Sequence, residues 1–370
     1  MTTNAQRAYS EFGQSIWYDN VQRGLLQSGQ FAALVQAGVR GCTSNPTIFD
    51  KAIGGSSDYD ATLRALVALG RSVDEIYHEL VCEDIRAAAD ILRPVYDQSE
   101  FRDGYISLEV QPKHAFDTQG TIDEALELRR RIDRPNLMIK VPATREGLTA
   151  ITELTAQGVC VNVTLIFSRQ RYIEVAEAYL AGLERAASSN TDVSRITSVA
   201  SFFVSRIDSK VDAWIESQSS DLQELRGKAA IANAKLAYVE YGRLFGGERF
   251  QTLRQHGAQT QRLLWASTGT KNPDYRDTLY VDELIGRDTV NTVPPATLAA
   301  FQDHGVPDAT LEKDVASAHR TLDRLASAGL SLDRVCEQLL SEGVESFVAS
   351  MKSLYDVIAA RRDDLSAAGR

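Results

Sequence analysis

Short apolar runs and longer amphipathic stretches alternate along most of this chain. The apolar runs, rich in β-branched residues and of strand length, lie at 15–19, 39–44, 105–110, 137–141, 159–165, 195–202, 262–266 and 289–293. Stretches with apolar residues at three- and four-residue spacing predict helices at 56–69, 73–92, 121–132, 145–157 and 168–187. Strands that alternate with helices indicate parallel pairing through helical crossovers.

Eight such strands predict the α/β class and, within it, a closed (β/α)8 barrel of the TIM type. No G-x-G-x-x-G or G-x-x-x-x-G-K-[ST] segment follows any of the predicted strands. This disfavours an open, doubly wound sheet that binds a dinucleotide or nucleotide.

Further helices are predicted outside the regular alternation. Between the sixth and seventh strands, 221–245 predicts one extended helix that is stopped by Gly246 and Gly247. After the last strand, the Pro294-Pro295 pair predicts a helix start, and two further helices are expected at 311–328 and 332–361.

Composition narrows the kind of protein. Of the 370 residues, 44% are hydrophobic and 24% are charged, which is ordinary for a globular chain, and the formal charge is −10. Nucleic-acid and membrane-surface binders need clustered cations, so partners of both kinds are disfavoured. No Pro- or Ser-rich linker divides the chain, so we expect one domain over 1–370, with 303–370 as a helical C-terminal part of it.

Cysteine and histidine patterns bear on metals and location. The four cysteines are scattered without a C-x-x-C pair, and the five histidines show no ligand spacing. We therefore predict no metal site and no disulfide framework. The first twenty residues lack an apolar signal-like segment and no run reaches ~20 apolar residues, so we expect a soluble, cytoplasmic protein.

Lys140 is the most informative single residue, because it lies inside the apolar strand 137–141. Burial of an unpaired ammonium costs several kcal/mol or lowers its pKa, so such a lysine either has a carboxylate partner or is neutral and nucleophilic. In the alternative interpretation, its stem lines the strand end and its amine reaches water.

Polar residues occur at the carboxyl end of seven of the predicted strands, where a barrel of this kind assembles its active site. The candidate residues are Asp19, Asn45, Glu109, Lys140, Asn162, Thr164, Ser201, Arg206, Ser267 and Lys271. Carboxylates, an amine, carboxamides and hydroxyls that converge on one mouth are suited to carbonyl chemistry.

Several members of this set have a purely structural alternative. Asp19 could cap the following helix, and Asn45 could start a helix together with Pro46 while also binding a ligand. Glu109 could be only an ion-pair partner of Lys140. Arg206 and Lys271 could be solvated surface charges, which is the usual state of lone cations.

The same segments resemble the transaldolase family, specifically its longer bacterial and plant-type branch. The similar motifs are SIWYDN at 15–20, GCTSNPTIF at 41–49, SLEV at 107–110, LMIKVPAT at 137–144, VNVTLIFS at 161–168, SFFVSR at 201–206 and ASTGTKNP at 266–273. The likeness extends from about 15 to 301 and follows the family's order of strand motifs.

The resemblance implies a transferase of the non-oxidative pentose phosphate pathway, with sugar-phosphate substrates and no cofactor. It would move a dihydroxyacetone unit from sedoheptulose 7-phosphate or fructose 6-phosphate to glyceraldehyde 3-phosphate or erythrose 4-phosphate. Lys140 would form the Schiff base and Asp19 would be the general base. Glu109 would shuttle protons through a water held by Thr164.

The resemblance also implies a set of substrate-binding residues. The hydroxyls of the three-carbon unit would be held by Asn45 and Asn162, and the phosphate by Ser201, Arg206 and a cation of the loop after the seventh strand, Lys271. Ser267, after the same strand, is also expected to bind substrate. The shorter branch of the family is expected to have an arginine near the position of Lys271. A lysine cannot form a bidentate fork, so the chain departs from the pattern there.

Three functions therefore stand beside each other at this point. A transaldolase would keep the enamine for a second aldose, whereas a Schiff-base aldolase would release free dihydroxyacetone. A catalytically silent barrel that binds sugar phosphates is the non-enzymatic alternative. A homo-oligomer is possible in each case.

Overall fold

In the computed structural model, which describes residues 2–218 and 220–368, eight parallel strands close into a barrel in sequence order, with the last strand paired to the first. The strands are β1 Gln14–Tyr18, β2 Cys42–Thr43, β3 Ile106–Glu109, β4 Leu137–Pro142, β5 Val161–Ile166, β6 Ser198–Phe203, β7 Gln261–Ala266 and β8 Thr289–Val293. The predicted fold class and all eight predicted strands are confirmed. The second strand is shorter than predicted.

Helices connect the strands and extend the chain beyond the barrel. They are α1 Asn4–Phe12, α2 Arg23–Gln27, α3 Gln30–Gln36, α4 Pro46–Gly55, α5 Asp60–Ala68, α6 Val73–Gln98, α7 Thr118–Ile132, α8 Arg145–Ala156, α9 Arg169–Ser188, α10 Ser205–Glu216, α11 Ala229–Gly246, α12 Glu248–Gln255, α13 Leu279–Asp282, α14 Pro295–His304, α15 Val315–Ser327 and α16 Leu332–Ala368. Short 3₁₀ turns lie at Pro112–His114, Val193–Arg195 and Ser220–Leu225. Over the described residues, none of these helices combines the length with the apolar composition of a membrane-spanning segment.

Hydroxyl and amide side chains start three of the helices that follow barrel strands. Asn45 accepts a hydrogen bond from the Ile48 amide at the start of α4, with Pro46 in the first turn. Thr144 and Ser168 cap α8 and α9 in the same way. In each of these three helices the cap satisfies a backbone amide of the first turn, shortly after the strand ends.

The prediction of one helix over 221–245 is wrong at its start. The chain forms a 3₁₀ turn over Ser220–Leu225, and α11 begins only at Ala229. Gly227 adopts a left-handed conformation with φ +69°, and its amide donates to the Asp212 carboxylate. The helical pattern of the sequence is therefore overridden by a tertiary hydrogen bond and a backbone conformation that breaks the helix.

Other helix boundaries differ less. The segment predicted over 56–69 begins at Asp60, and the one predicted from 311 begins at Val315. The helix predicted to end at 92 continues through Pro94 to Gln98. Pro94 is exposed, so water can satisfy the carbonyl that its missing N–H leaves unpaired.

The last helix, α16, passes over the carboxyl ends of the strands. It packs against α4, which follows β2, and against α10, which follows β6, and these strands lie on opposite sides of the barrel. The Thr47 and Ser350 hydroxyls are 2.7 Å apart on one side, and Lys210 Nζ lies 2.7 Å from Glu342 Oε1 on the other. This helix therefore covers part of the barrel mouth.

Candidate active site

A cavity of about 450 Å³ opens at the carboxyl ends of the strands, beneath α16. Eight of the ten candidate residues line it: Asp19, Asn45, Lys140, Thr164, Ser201, Arg206, Ser267 and Lys271. The other two, Glu109 and Asn162, lie below its floor in contact with Lys140 and Ser201. The structure thus brings the whole set together.

Lys140 lies at the floor of the cavity and is 5% exposed. In the strand register it is paired with Glu109 on β3 and with Asn162 on β5, so the three form one row across adjacent strands. Its Nζ donates to the Ser44 carbonyl at 3.0 Å and lies 3.5 Å from Glu109 Oε2. The amine therefore stays within the barrel instead of extending to bulk water.

The Glu109 carboxyl is buried, and burial raises its pKa to about 7 although the nearby Lys140 ammonium acts in the opposite direction. Its Oε2 has no hydrogen-bond partner with good geometry among the described residues. A carboxyl of this pKa is half protonated near neutrality. It can both donate and accept a proton.

Asp19 follows β1 directly and is connected to two threonines by hydroxyl hydrogen bonds. Thr43 Oγ1 donates to Asp19 Oδ1 at 2.6 Å, and the Thr43 and Thr292 hydroxyls are 2.6 Å apart. Burial raises the pKa of Asp19, and Lys140 opposes that effect. The alternative that Asp19 caps a helix is wrong, because the residue before α2 is Gln22, which makes no side-chain cap.

Thr164 has a buried hydroxyl with no partner among the described residues, and it lines the cavity. The pairing of β5 with β6 shifts between Val163 and Ile166, and Leu165 adopts φ +59°. Such a bulge redirects side chains at the strand end. An unpartnered hydroxyl that faces a polar cavity is suited to holding a water molecule or a substrate group.

Asn162 is held from both sides. Its Nδ2 donates to the Ser107 hydroxyl at 3.0 Å, and its Oδ1 accepts from Ser201 at 2.7 Å. The amide is thereby fixed in one orientation. Asn45 is less constrained, because its Oδ1 caps α4 while its amide nitrogen has no partner among the described residues.

Arg206 and Lys271 give the cavity local positive charge in a chain of net charge −10. Neither has an acidic partner within 4.0 Å among the described residues. Burial lowers the pKa of Arg206, whose guanidinium lies 5.5 Å from the centre of the Phe203 ring. Ser267, with φ +55°, lies beside them, and its hydroxyl is 3.0 Å from that of Ser205. Cations and a hydroxyl in this arrangement can hold a phosphate.

Sequence reasoning missed several residues of the cavity wall, among them Thr292, Lys51 and Phe347. Thr292 could have been found, since it lies on a barrel strand near its carboxyl end. Lys51 and Phe347 belong to helices, where no local pattern shows that a side chain reaches the barrel mouth.

Comparison with known proteins gives a consistent result. The model of the family described as Transaldolase/Fructose-6-phosphate aldolase matches residues 16–358. A protein named "Transaldolase" from Saccharopolyspora erythraea is 50% identical over 366 residues, which cover 98% of this chain and 99% of that protein. Proteins of the same name from Trichodesmium erythraeum and Thermobifida fusca are 46% and 49% identical, over 96% and 95% of this chain and 97% and 96% of their own lengths.

Proposed function

Because this chain belongs to the Transaldolase/Fructose-6-phosphate aldolase family, we propose that it transfers a dihydroxyacetone unit between sugar phosphates through a Schiff base on Lys140. The donor would be fructose 6-phosphate or sedoheptulose 7-phosphate, and the acceptor an aldose phosphate. The observation that carries the proposal is the buried Lys140 amine at the cavity floor, 3.5 Å from a carboxyl whose pKa is about 7.

The first stage is formation of the imine. The Lys140 amine, in its deprotonated form, attacks C2 of the ketose, and a proton passes from its nitrogen to the former carbonyl oxygen to give a carbinolamine. Glu109 donates the proton with which the C2 hydroxyl leaves as water, so that a C=N⁺ bond replaces it. The unpartnered Thr164 hydroxyl positions the water through which Glu109 exchanges protons with the substrate.

The second stage is cleavage of the C3–C4 bond. Asp19 accepts the proton of the C4 hydroxyl, the C4–O electrons form the aldehyde, and the C3–C4 electron pair moves into the iminium to give an enamine. The aldose phosphate then leaves. The hydrogen bond from Thr43 holds the Asp19 carboxylate in one orientation during this step.

Amide groups bind one end of the substrate, and hydroxyl and cationic groups bind the other. Hydroxyls of the three-carbon unit that stays on the enzyme are bound by the amide nitrogen of Asn45 and by the second N–H of Asn162, which is paired with Lys140 in the strand register. Ser201, Ser267, Arg206 and Lys271 bind the phosphate at the other end, where charge-assisted hydrogen bonds are strongest. The enamine is retained until a second aldose occupies the same phosphate site and reverses the reaction.

Transfer is distinguished from plain aldol cleavage by the lifetime of the enamine. The helix α16 covers part of the mouth and places Phe347 on the cavity wall, which limits the access of water. This favours transfer over release of free dihydroxyacetone.

The wider setting is part of the same proposal. The enzyme would act in the non-oxidative pentose phosphate pathway, without a cofactor, in the cytoplasm. The four cysteines are buried free thiols, the state that a reducing compartment maintains. Residues 1–370 would form one domain with 303–370 as its helical C-terminal part, which the packing of α16 on α4, α5, α6 and α10 supports. The proposed function is compatible with a homo-oligomer.

The test combines product release with trapping of the imine. Glyceraldehyde 3-phosphate released from fructose 6-phosphate is measured with and without erythrose 4-phosphate, for the wild type, Lys140→Ala and Asp19→Asn. Parallel samples are treated with borohydride, and the mass of the protein is measured. We expect release that needs the acceptor, an adduct on the wild type and on Asp19→Asn, and neither product nor adduct with Lys140→Ala.

Two results would overturn the proposal. Release that does not need the acceptor would mean an aldolase, and no release or adduct from the wild type would leave a binding protein. As a control, Lys113→Ala removes an amine that does not line the cavity and should behave as the wild type.

A further inference from the structure

Two buried aspartates on α10 join three segments of the chain. Asp208 and Asp212 lie one helical turn apart and are 1% and 6% exposed. Within residues 2–218 and 220–368, neither has a cationic side chain within 4.0 Å. Their carboxyl oxygens instead accept hydrogen bonds from backbone amides before and at the start of α11 and from two phenol hydroxyls.

The hydrogen bonds form two parallel pairs. Asp208 accepts from the Ala230 amide at 2.7 Å and from the Tyr280 hydroxyl at 2.8 Å. Asp212 accepts from the Gly227 amide at 3.0 Å and from the Tyr275 hydroxyl at 2.6 Å. Both tyrosines come from the segment that follows β7, so this segment is bound to α10.

The ring of Tyr275 packs closely on Gly227. A Cβ on Gly227 would lie 2.8 Å from Tyr275 Cζ, nearer than atoms can approach, and φ at Gly227 is +69°. A side chain at this position would therefore both strain the backbone and displace the ring. The contact between Tyr275 and Asp212 depends on this absence of a side chain.

The loop over 267–278 is fixed at its other end as well. The Ser205 amide donates to the Ser267 carbonyl at 3.1 Å, and Thr268 Oγ1 donates to Asn291 Oδ1 at 2.8 Å. Lys271 lies between these anchors and Tyr275. Its side chain is exposed and has no hydrogen-bond or ion-pair partner among the described residues.

Lys271 is therefore positioned by the backbone of its loop and not by contacts of its own. The anchor on its carboxyl side is Tyr275, bound to Asp212 on α10. The same helix carries Arg206 in its first turn. A single rigid helix thus holds one cation of the phosphate site directly and the other through the bond between Asp212 and Tyr275.

We propose that the Tyr275–Asp212 hydrogen bond is a positioning device that fixes Lys271 relative to Arg206 and thereby sets the affinity for the phosphate end of the substrate. This inference rests on the proposed phosphate site. Tyr275 does not line the cavity, so it would act on substrate binding through Lys271.

The test is a double-mutant cycle with Tyr275→Phe and Lys271→Ala. Calorimetric titration with inorganic phosphate measures the anion site without turnover. Steady-state assays measure kcat and KM for fructose 6-phosphate and for free fructose. Tyr355→Phe is the matched control, because it removes another tyrosine-to-aspartate hydrogen bond, 2.7 Å long, between Tyr355 and Asp74.

We expect Tyr275→Phe to weaken phosphate binding roughly threefold to tenfold, the factor that one ordinary hydrogen bond provides. The KM for fructose 6-phosphate should rise by the same factor, with kcat and the activity on fructose unchanged. In the Lys271→Ala background, Tyr275→Phe should have no further effect.

Unchanged phosphate binding in Tyr275→Phe, or an equal loss in both backgrounds, would overturn the inference. An equal loss on fructose and fructose 6-phosphate would mean a general structural role and would overturn it too. If phosphate binding responds as expected while no transfer activity is found in the wild type, the positioning role stands and the proposed reaction fails.

Discussion

Glu109 Oε2 lies 3.5 Å from Lys140 Nζ, across adjacent strands in one row of the barrel. The distance is that of an ion pair, but it is longer than a well-formed charge-assisted hydrogen bond. The carboxyl therefore interacts electrostatically with the amine, while its hydrogen-bonding capacity is not used up by this contact. This arrangement supports the proposed role of Glu109 as a proton shuttle beside the Lys140 Schiff base.

Replacement of Glu109 by glutamine should keep the shape of the site and remove the shuttle. We expect Glu109→Gln to lower kcat about 100-fold, the lower end of what general acid–base catalysis contributes. Imine formation, followed by borohydride trapping, should be slowed, while the KM for the acceptor stays unchanged.

The same variant should change the pH dependence of the reaction. The pKa of Glu109 is raised to about 7, so the wild type loses the protonated form as pH rises through about 7. Folding stability should depend on pH in the same direction. The stabilising contribution of this carboxyl is fully present below the ordinary glutamate pKa and is lost as pH rises through its pKa in the folded protein. A pH profile of kcat that keeps its limb near pH 7 in Glu109→Gln would contradict this assignment.

Arg206 and Lys271 should differ in their contributions. We expect Arg206→Ala to raise KM for fructose 6-phosphate roughly 30- to 100-fold, as for a lost charge-assisted hydrogen bond, and KM for free dihydroxyacetone far less. Lys271→Ala should act in the same direction but more weakly, because its exposed ammonium is a screened point charge. Equal effects of Arg206→Ala on phosphorylated and free sugars would rule out its phosphate role.

The opposite end of the barrel depends on a buried charge network around Asp103. Its carboxylate lies 2.9 Å from a guanidinium nitrogen of Arg262 and of Arg40, and accepts from Ser15 and Trp17. Asp103→Asn would leave Arg262 buried with less compensation, so we expect a loss of about 3–5 kcal/mol of unfolding free energy. Steady-state kinetics of the folded enzyme should not change.

The pH dependence of stability follows from the same network. Burial alone would raise the pKa of Asp103, but Arg262 and Arg40 hold it below its ordinary value. Its stabilising contribution is thus present above the ordinary aspartate pKa and is lost as pH falls through the folded value. Urea unfolding at several pH values checks this. Asp288→Asn is the control for Asp103→Asn, because Asp288 forms an exposed ion pair with Arg102. It should lower the free energy of unfolding by at most about 1 kcal/mol.

How far the sequence predicts this molecule is visible in particular residues. Asp19, Lys140 and Ser201 could be placed at one mouth because parallel strands of a closed barrel direct their carboxyl ends to the same face. Local pattern and topology suffice for such residues. Their hydrogen-bond partners and pKa values follow only from the assembled barrel.

Gly227 and Phe347 show where sequence reasoning stops. The helical pattern over 221–245 contains Gly227. This glycine interrupts the helix only because the Tyr275 ring packs against it and the Asp212 carboxylate accepts a hydrogen bond from its amide. Phe347 looks like an ordinary apolar position of an amphipathic helix. Its place at the cavity depends on how α16 crosses the barrel, which no local pattern encodes.

Phe347 should protect the enamine from water, since it is 5% exposed and forms part of the cavity wall beneath α16. A smaller side chain there would widen the mouth and let water or a proton donor reach the three-carbon intermediate. We expect Phe347→Ala to raise the acceptor-independent release of glyceraldehyde 3-phosphate several-fold relative to the acceptor-dependent release. Trapping of the imine by borohydride should be unchanged.

The void that Phe347→Ala leaves also lowers the free energy of unfolding, by about 3–5 kcal/mol for a buried Phe→Ala change, so Phe347→Leu provides a milder version of the same test. Val348→Ala is the matched control, because the neighbouring Val348 is 46% exposed and does not line the cavity. If the ratio of the two releases stays the same in Phe347→Ala and Phe347→Leu as in Val348→Ala, this residue does not protect the intermediate, and the enamine must be shielded by the barrel walls alone.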